Sequence, residues 1–207
     1  MRRISINELP KHSPWPERVI DGRGPASTRG GAGSKTYDDR FGKLLEYKLS
    51  HPELGYRDVM AGANHHERES PVPMSQDRNV YLAEIDTVQR LQDEVLVSAF
   101  EDVLDGGETV VSLGCGWGYN LGVLADAYHD CTFVGGELSE NGVELGRELF
   151  GDRQRIRVDQ FDFTDPRWKL LEQGSENDVI LFTRGSLTAL PDAERVITET
   201  LANYTTA

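Results

Sequence analysis

One stretch constrains this 207-residue chain more than any other: Val110-Val111-Ser112-Leu113-Gly114-Cys115-Gly116-Trp117-Gly118. An apolar, β-prone run stops at three glycines spaced two apart. The apolar residues read as a buried parallel strand. Glycine lacks a Cβ and tolerates positive φ, so the turn after that strand lets a ligand sit close to the backbone. Leu121, Val123, Leu124, Ala125, Ala127 and Tyr128 then follow at helical spacing. The turn therefore opens onto a helix N-terminus, the arrangement of a nucleotide- or cofactor-binding turn in an α/β protein.

The glycine register narrows the ligand. A dinucleotide fingerprint, Gly-x-Gly-x-x-Gly counted from Gly114, needs its third glycine at Tyr119; here it falls at Gly118. A second apolar run, Cys131-Thr132-Phe133-Val134-Gly135-Gly136, ends on Glu137-Leu138-Ser139. An acid about twenty residues after the glycines, at a strand tip, can accept two hydrogen bonds from a ribose diol. Arg155 to Val158 predicts a third strand leading into Phe161-Asp162-Phe163, and Asp178 to Thr183 a fourth. Each tip breaks into glycine or polar residues, as one crevice at the carboxyl ends of a sheet requires.

On these residues, positions 109 to 204 resemble the Rossmann-like, seven-strand S-adenosylmethionine-dependent methyltransferases (class I). The resemblance implies that Gly114, Cys115 and Gly116 lie under the methionine and ribose of that cofactor. It implies that Glu137 holds the ribose hydroxyls, that Leu138 lies against the adenine, and that Asp162, with Phe163 beside it, meets the adenine amino group. It places Thr183, with Arg184, at the fourth strand end facing the cofactor. It departs from the family at Ser112, where an acid usually helps hold the ammonium group; serine hydrogen-bonds but supplies no charge. The fold class implied is α/β, a parallel sheet in the order 3-2-1-4 with an N-terminal helical extension and without the family's C-terminal strands. The expectation is a fragment of a longer polypeptide, or a chain whose exposed fourth strand pairs with another chain.

Upstream, residues 1–36 carry prolines at 10, 14, 16 and 25 and the run Gly30 to Gly33, and read as a flexible arm. Residues 37–107 read as a helical extension bordering the acceptor pocket, and 108–207 as the incomplete cofactor domain. Within the extension, Phe41, Leu44, Leu45 and Leu49 predict one helix, and Asn79 to Leu104 another, amphipathic and ended by Asp105-Gly106-Gly107. Between them, Pro52 to Met74 reads as a polar loop, with His65 and His66 solvated rather than metal-binding, since neighbours in sequence do not share a helix face. Tyr56, Arg78 and Tyr81 are candidates for the acceptor-pocket lining that the resemblance implies. Asp192 to Glu194, after Pro191, opens a last helix bearing Val196, Ile197 and Leu201.

Net charge is −13, with 35 acids against 22 bases, and residues 108–207 hold 17 of the acids and 8 of the bases. Such a surface disfavours a nucleic-acid groove, whose affinity rests on phosphate neutralisation. No run approaches the roughly twenty apolar residues that cross a membrane. The two cysteines, Cys115 and Cys131, read as reduced thiols of a cytoplasmic protein, and no metal site is expected. The function expected is methyl transfer from S-adenosylmethionine to a small-molecule acceptor, with a protein acceptor open. Spacing selects no catalytic base among His65, His66, Asp165 and Arg184. The alternatives are a non-catalytic binding or scaffolding module and, less favoured, an NAD-dependent oxidoreductase.

Overall fold

The computed structural model describes residues 1–13, 32–67, 70–165, 170–171, 178–187 and 192–205. Prolines 14, 16, 25 and 191, Gly30 and Gly31 of the Gly30–Gly33 run, and the side chain of Leu201 lie outside the described residues.

The centre is a parallel sheet of four strands: β4 (Thr109–Leu113), β5 (Thr132–Glu137), β6 (Ile156–Gln160) and β7 (Val179–Phe182). Their spatial order is β6-β5-β4-β7, which is the expected 3-2-1-4. Every residue of β4 is buried, as a central strand covered on both faces demands. The connections are α4 (Tyr119–Ala127) between β4 and β5, and α5 (Glu140–Phe150) between β5 and β6. Both helices pack on the face bearing Val110, Phe133 and Val158, in one core with Leu121, Leu124, Leu145 and Phe150. The opposite face carries a smaller cluster of Val111, Leu113, Val134, Phe161 and Leu170. A last helix, α6 (Ala193–Thr205), begins where the Asp192 carboxylate accepts the Arg195 N–H at 3.1 Å.

The N-terminal half differs from the sequence reading in three places. The segment read as a flexible arm contains strand β1 (Arg2–Ile4), and the stretch read as a polar loop forms α2 (Tyr56–Glu67) and strand β2 (Val72–Gln76). The predicted long helix begins instead as strand β3 (Asn79–Ala83) and becomes α3 (Ile85–Ser98). These strands form a separate antiparallel sheet, β1-β3-β2, in which Ile4 pairs with Val80 and Met74 with Tyr81. The β2–β3 turn is Asp77-Arg78, both at positive φ (48° and 63°), as a two-residue type I′ hairpin needs. Asn-Gly or Asp-Gly announces such a turn in a sequence; Asp-Arg does not.

The helix predicted from Tyr37 to Leu49 is α1 (Ala32–Ser50). Phe41 and Leu45 from α1, Tyr56 and Val59 from α2, and Leu96 from α3 join the same core as the sheet residues. The helical extension and the sheet are thus welded by one apolar interior. Among the described residues no helix is long and apolar enough to cross a membrane.

Candidate cofactor site

The sheet fixes where a ligand belongs. From β4 the chain steps outward through β5 and β6, then returns to β7 on β4's other side. That reversal puts the switch-point crevice at the carboxyl end of β4, the place of the glycine turn. Gly114, Gly116 and Gly118 adopt φ of 69°, 59° and 90°, values that side-chain-bearing residues rarely adopt.

The amides of this turn point into the protein. The N–H groups of Gly114 and Cys115 both donate to the Gly136 carbonyl, at 2.8 and 3.0 Å. Gly118 N–H donates to the Cys115 carbonyl at 3.2 Å. Gly116 N–H donates to Glu137 Oε2 at 2.8 Å. Four donors that would cradle a pyrophosphate in a dinucleotide turn are therefore already engaged.

Glu137 ends β5, half-buried, with Oε1 accepting the Ser139 N–H at 2.9 Å and Oε2 accepting from Gly116. Burial pushes its carboxyl above the ordinary range against the pull of these backbone donors. A carboxylate offers about four lone-pair sites, more than these two donors occupy. The next residue, Leu138, is 45 % exposed, an apolar surface beside a held carboxylate.

Phe161 N–H donates to the Glu137 carbonyl at 2.9 Å, so Asp162 leaves its strand immediately alongside the Glu137 tip. Asp162 Oδ1 accepts the Thr164 N–H and hydroxyl, each at 2.7 Å, which ties down the turn. Phe163 packs edge-on to Phe161 and reaches within 3.4 Å of where a Cβ on Gly114 would stand. On the other side, Thr183 bonds the Ser186 hydroxyl, and Ser186 donates to the Leu113 carbonyl at 2.9 Å. The fourth strand tip is thereby clamped on the first glycine. Arg184 crosses to Asn120 Oδ1 on α4 at 3.0 Å.

Cys115 donates to the Gly116 carbonyl at 3.1 Å, and burial followed by the Glu137 charge pushes its thiol well up. It shapes the turn and is no nucleophile at neutral pH. Both cysteines are free. Cys131 is buried and donates to Glu108 Oε2 at 3.2 Å. Ser112 is 2 % exposed inside β4.

The proposed acceptor-lining residues fare unevenly. Tyr56 is buried under α4, its hydroxyl donating to Asp126 Oδ2 at 2.5 Å and its ring against Phe150, so it is a packing residue. Arg78 sits in the β2–β3 turn and Tyr81 on β3. His65 and His66 are exposed on α2, and His65 Nε2 lies 3.1 Å from Asp86. Among the described residues no group of three His, Cys, Asp or Glu side chains is placed to hold a metal.

Sequence reading missed how α1 covers the turn. Phe41 lies 3.3 Å from the Cβ position of Gly116 and 2.9 Å from that of Gly142. Asp38 Oδ1 accepts the Ser139 hydroxyl at 2.6 Å and the Asn141 N–H at 3.1 Å, while Ser139 Oγ caps Gly142 N–H at 3.0 Å. Nothing local to Ser139 announces its partner a hundred residues upstream.

No family model matches the sequence, and no curated protein matches it. Solved structures are similar to part of it. A geranyl diphosphate methyltransferase solved with geranyl diphosphate and sinefungin shares 22 % identity over 42 % of this chain and 33 % of its own, with a TM-score of 0.36. A structure assigned as a sarcosine dimethylglycine methyltransferase from Galdieria sulphuraria shares 18 % over 62 % and 46 %, with a TM-score of 0.46. The cyclase SpnF shares 21 % over 55 % and 41 %, with a TM-score of 0.45. The chain spans less than half the length of each of these three structures.

Proposed function

We propose that this chain binds S-adenosylmethionine and belongs to a methyltransferase acting on a small molecule. The observation carrying the reading is the inward-turned glycine loop latched by Glu137. A turn with four of its amides bonded internally offers no ready seat for a pyrophosphate, and the half-buried carboxylate of Glu137 stands beside it. That combination suits a nucleoside carried without phosphates, and disfavours NAD. The residues present fit such a group. Glu137 would receive the ribose diol, Leu138 and Phe163 would flank the adenine, and Asp162 would meet its amino group. The bare backbone of Gly114 to Gly116 would admit the methionine chain.

When bound, the cofactor supplies a methyl group already activated by the sulfonium charge. The protein's share is then alignment and exclusion of water. Thr183 and Ser186, locked onto Leu113, would fix the wall on the β7 side, and α1 would cover the turn through Phe41. The crevice side of the turn offers no evident base: Cys115 is pushed up by burial, and Tyr119 by burial and by its hydrogen bond to Asp93. The acidity of residues 108–207 supports a small-molecule acceptor over a nucleic acid.

A non-catalytic cofactor-binding module is the second reading, favoured by Ser112 standing where an acid would neutralise the ammonium group. Calorimetric titration with S-adenosylmethionine and with NAD tests the proposal. Heat with the first and none with the second supports it; the reverse overturns it.

A further inference from the structure

A cavity of about 390 Å³ opens beside the glycine turn, between α1, α2, α3 and the first turn of α4. That volume falls within the roughly 300–1,000 Å³ of small-molecule sites. Its apolar wall includes Phe41, Leu44, Met60, Ile85, Val88 and Trp117. The two arginines that line it are already engaged: Arg184 donates to Asn120 at 3.0 Å, and Arg40 has a partner as well. Asn64, on α2, is a polar side chain of the same wall and only 8 % exposed.

Asn64 ends a relay whose direction is fixed at its other end. The Asp93 carboxylate, paired with Arg57 at 3.0 Å and the Tyr119 hydroxyl at 2.8 Å through Oδ2, can only accept. Gln89 therefore turns its Nε2 to Asp93 and donates to Oδ1 at 2.9 Å. That leaves Gln89 Oε1 facing Asn64, where it accepts from Nδ2 at 3.2 Å. Asn64 Oδ1 is the remaining end of the relay, and among the described residues no donor reaches it. A buried amide oxygen without a donor costs free energy that a bound donor restores. The same oxygen repels a carboxylate or a carbonyl brought against it.

We infer that this cavity takes a neutral small molecule, an apolar body carrying a hydroxyl or N–H donor that Asn64 Oδ1 accepts. The donor preference rests on the relay alone; that the occupant is the methyl acceptor rests on the methyltransferase reading. Asp93 does not line the cavity, so it acts through Gln89 and Asn64 as a positioning residue. Its amide isostere should reverse the relay. In Asp93→Asn the Arg57 guanidinium, which only donates, keeps the new amide's oxygen on its own side. The new N–H groups then face Gln89, which turns over, and Asn64 turns over with it. The cavity then meets Nδ2 in place of Oδ1.

The test titrates the full chain with 1-phenylethanol, acetophenone and benzoate, three probes of one shape that are a donor, a neutral acceptor and an anion. Binding is followed by NMR on the indole N–H of Trp117, with and without saturating S-adenosylhomocysteine. Trp117 lines this cavity and not the wider groove that Asn64 also borders, between α2, α3 and α4. The alcohol should bind about tenfold more tightly than the ketone or benzoate. Asn64→Ala should abolish that preference, and Asp93→Asn should reverse it in favour of the ketone, which a merely structural role for Asp93 would not do. Asn64→Ala keeps the test decisive where Asp93→Asn does not fold. Equal binding of the three probes, tighter binding of benzoate, a Trp117 signal that the alcohol leaves unmoved, or an alcohol preference retained in Asn64→Ala overturns the inference. Alcohol preference without S-adenosylhomocysteine binding would leave the donor site standing and remove the methyltransferase reading; S-adenosylhomocysteine binding without probe preference would do the opposite.

Discussion

Asp38 and Ser139 stand 101 residues apart in sequence and 2.6 Å apart in space, the carboxylate of α1 accepting the hydroxyl that caps α5. Asp38 also takes the Asn141 N–H, so two side chains from distant segments share one helix N-terminus. The bond fixes α1 over the strand tip where Glu137 stands two residues before Ser139, and it seats Phe41 against Gly116 and Gly142. Covering the glycine turn is therefore a consequence of how α5 begins.

Asp38→Ala should cost about 0.5–2 kcal/mol, the range for losing an N-terminal cap. Urea denaturation checks this. The Ser139 hydroxyl and the Asn141 N–H hold the Asp38 carboxyl below its ordinary 3.8. Its contribution is complete above that ordinary value and is lost as pH falls through the lowered one. The gap between wild type and Asp38→Ala should accordingly narrow on acidification below about pH 4, and a gap that widened would contradict the assignment.

Glu137→Gln should separate stability from binding. Burial raises the Glu137 carboxyl above its ordinary 4.5. In the folded protein its ionised form is penalised at neutral pH, and that penalty vanishes as pH falls below the unfolded value. Removing the charge should leave the urea midpoint equal or higher while S-adenosylhomocysteine affinity falls. A midpoint that drops with affinity intact would make Glu137 a structural brace only.

Acidification should act on the wild type in the same sense. A diol that needs the ionised carboxylate loses affinity as pH falls through the raised value, so the decline should begin at higher pH than an exposed glutamate gives. Titrations of S-adenosylhomocysteine across pH 4–8, roughly the span bracketing such a carboxylate, would read this. A flat profile would remove Glu137 from the contact.

Gly146 is where α5 lies closest to the sheet. A Cβ there would stand 2.8 Å from a Val158 methyl and 3.1 Å from the Trp117 carbonyl. Gly146→Ala should destabilise by about 1–3 kcal/mol, the range for overpacking, despite alanine's better helix propensity. A stabilised variant would mean that α5 and β6 can separate freely.

The candidate site's scaffold was legible where one local run carried its own signal. Val110 to Gly118 announces strand, turn and helix together, because a buried central strand must be apolar and a positive-φ turn favours glycine. Glu137 was legible from its distance to those glycines. The N-terminal half was not, for the opposite reason. Tyr56 to Glu67 contains Gly62, Asn64, His65 and His66, weak helix formers, and is held by burial of Tyr56, Val59 and Ala63 against the rest of the core. Asn79 to Ala83 continues the apolar spacing of the helix after it, and only pairing to β1 and β2 makes it a strand. Asp38 and Phe41 reach the start of α5 and the glycine turn through tertiary contact alone, which no single stretch encodes.

Calorimetric titration of S-adenosylhomocysteine and NAD into the wild type and Glu137→Ala tests the central claim most directly. S-adenosylhomocysteine should bind and NAD should not, with a loss of about 1.5–3 kcal/mol, roughly 10- to 100-fold, when the charge-assisted bonds of Glu137 are removed. Tighter binding of NAD, or S-adenosylhomocysteine affinity unchanged in Glu137→Ala, would contradict it.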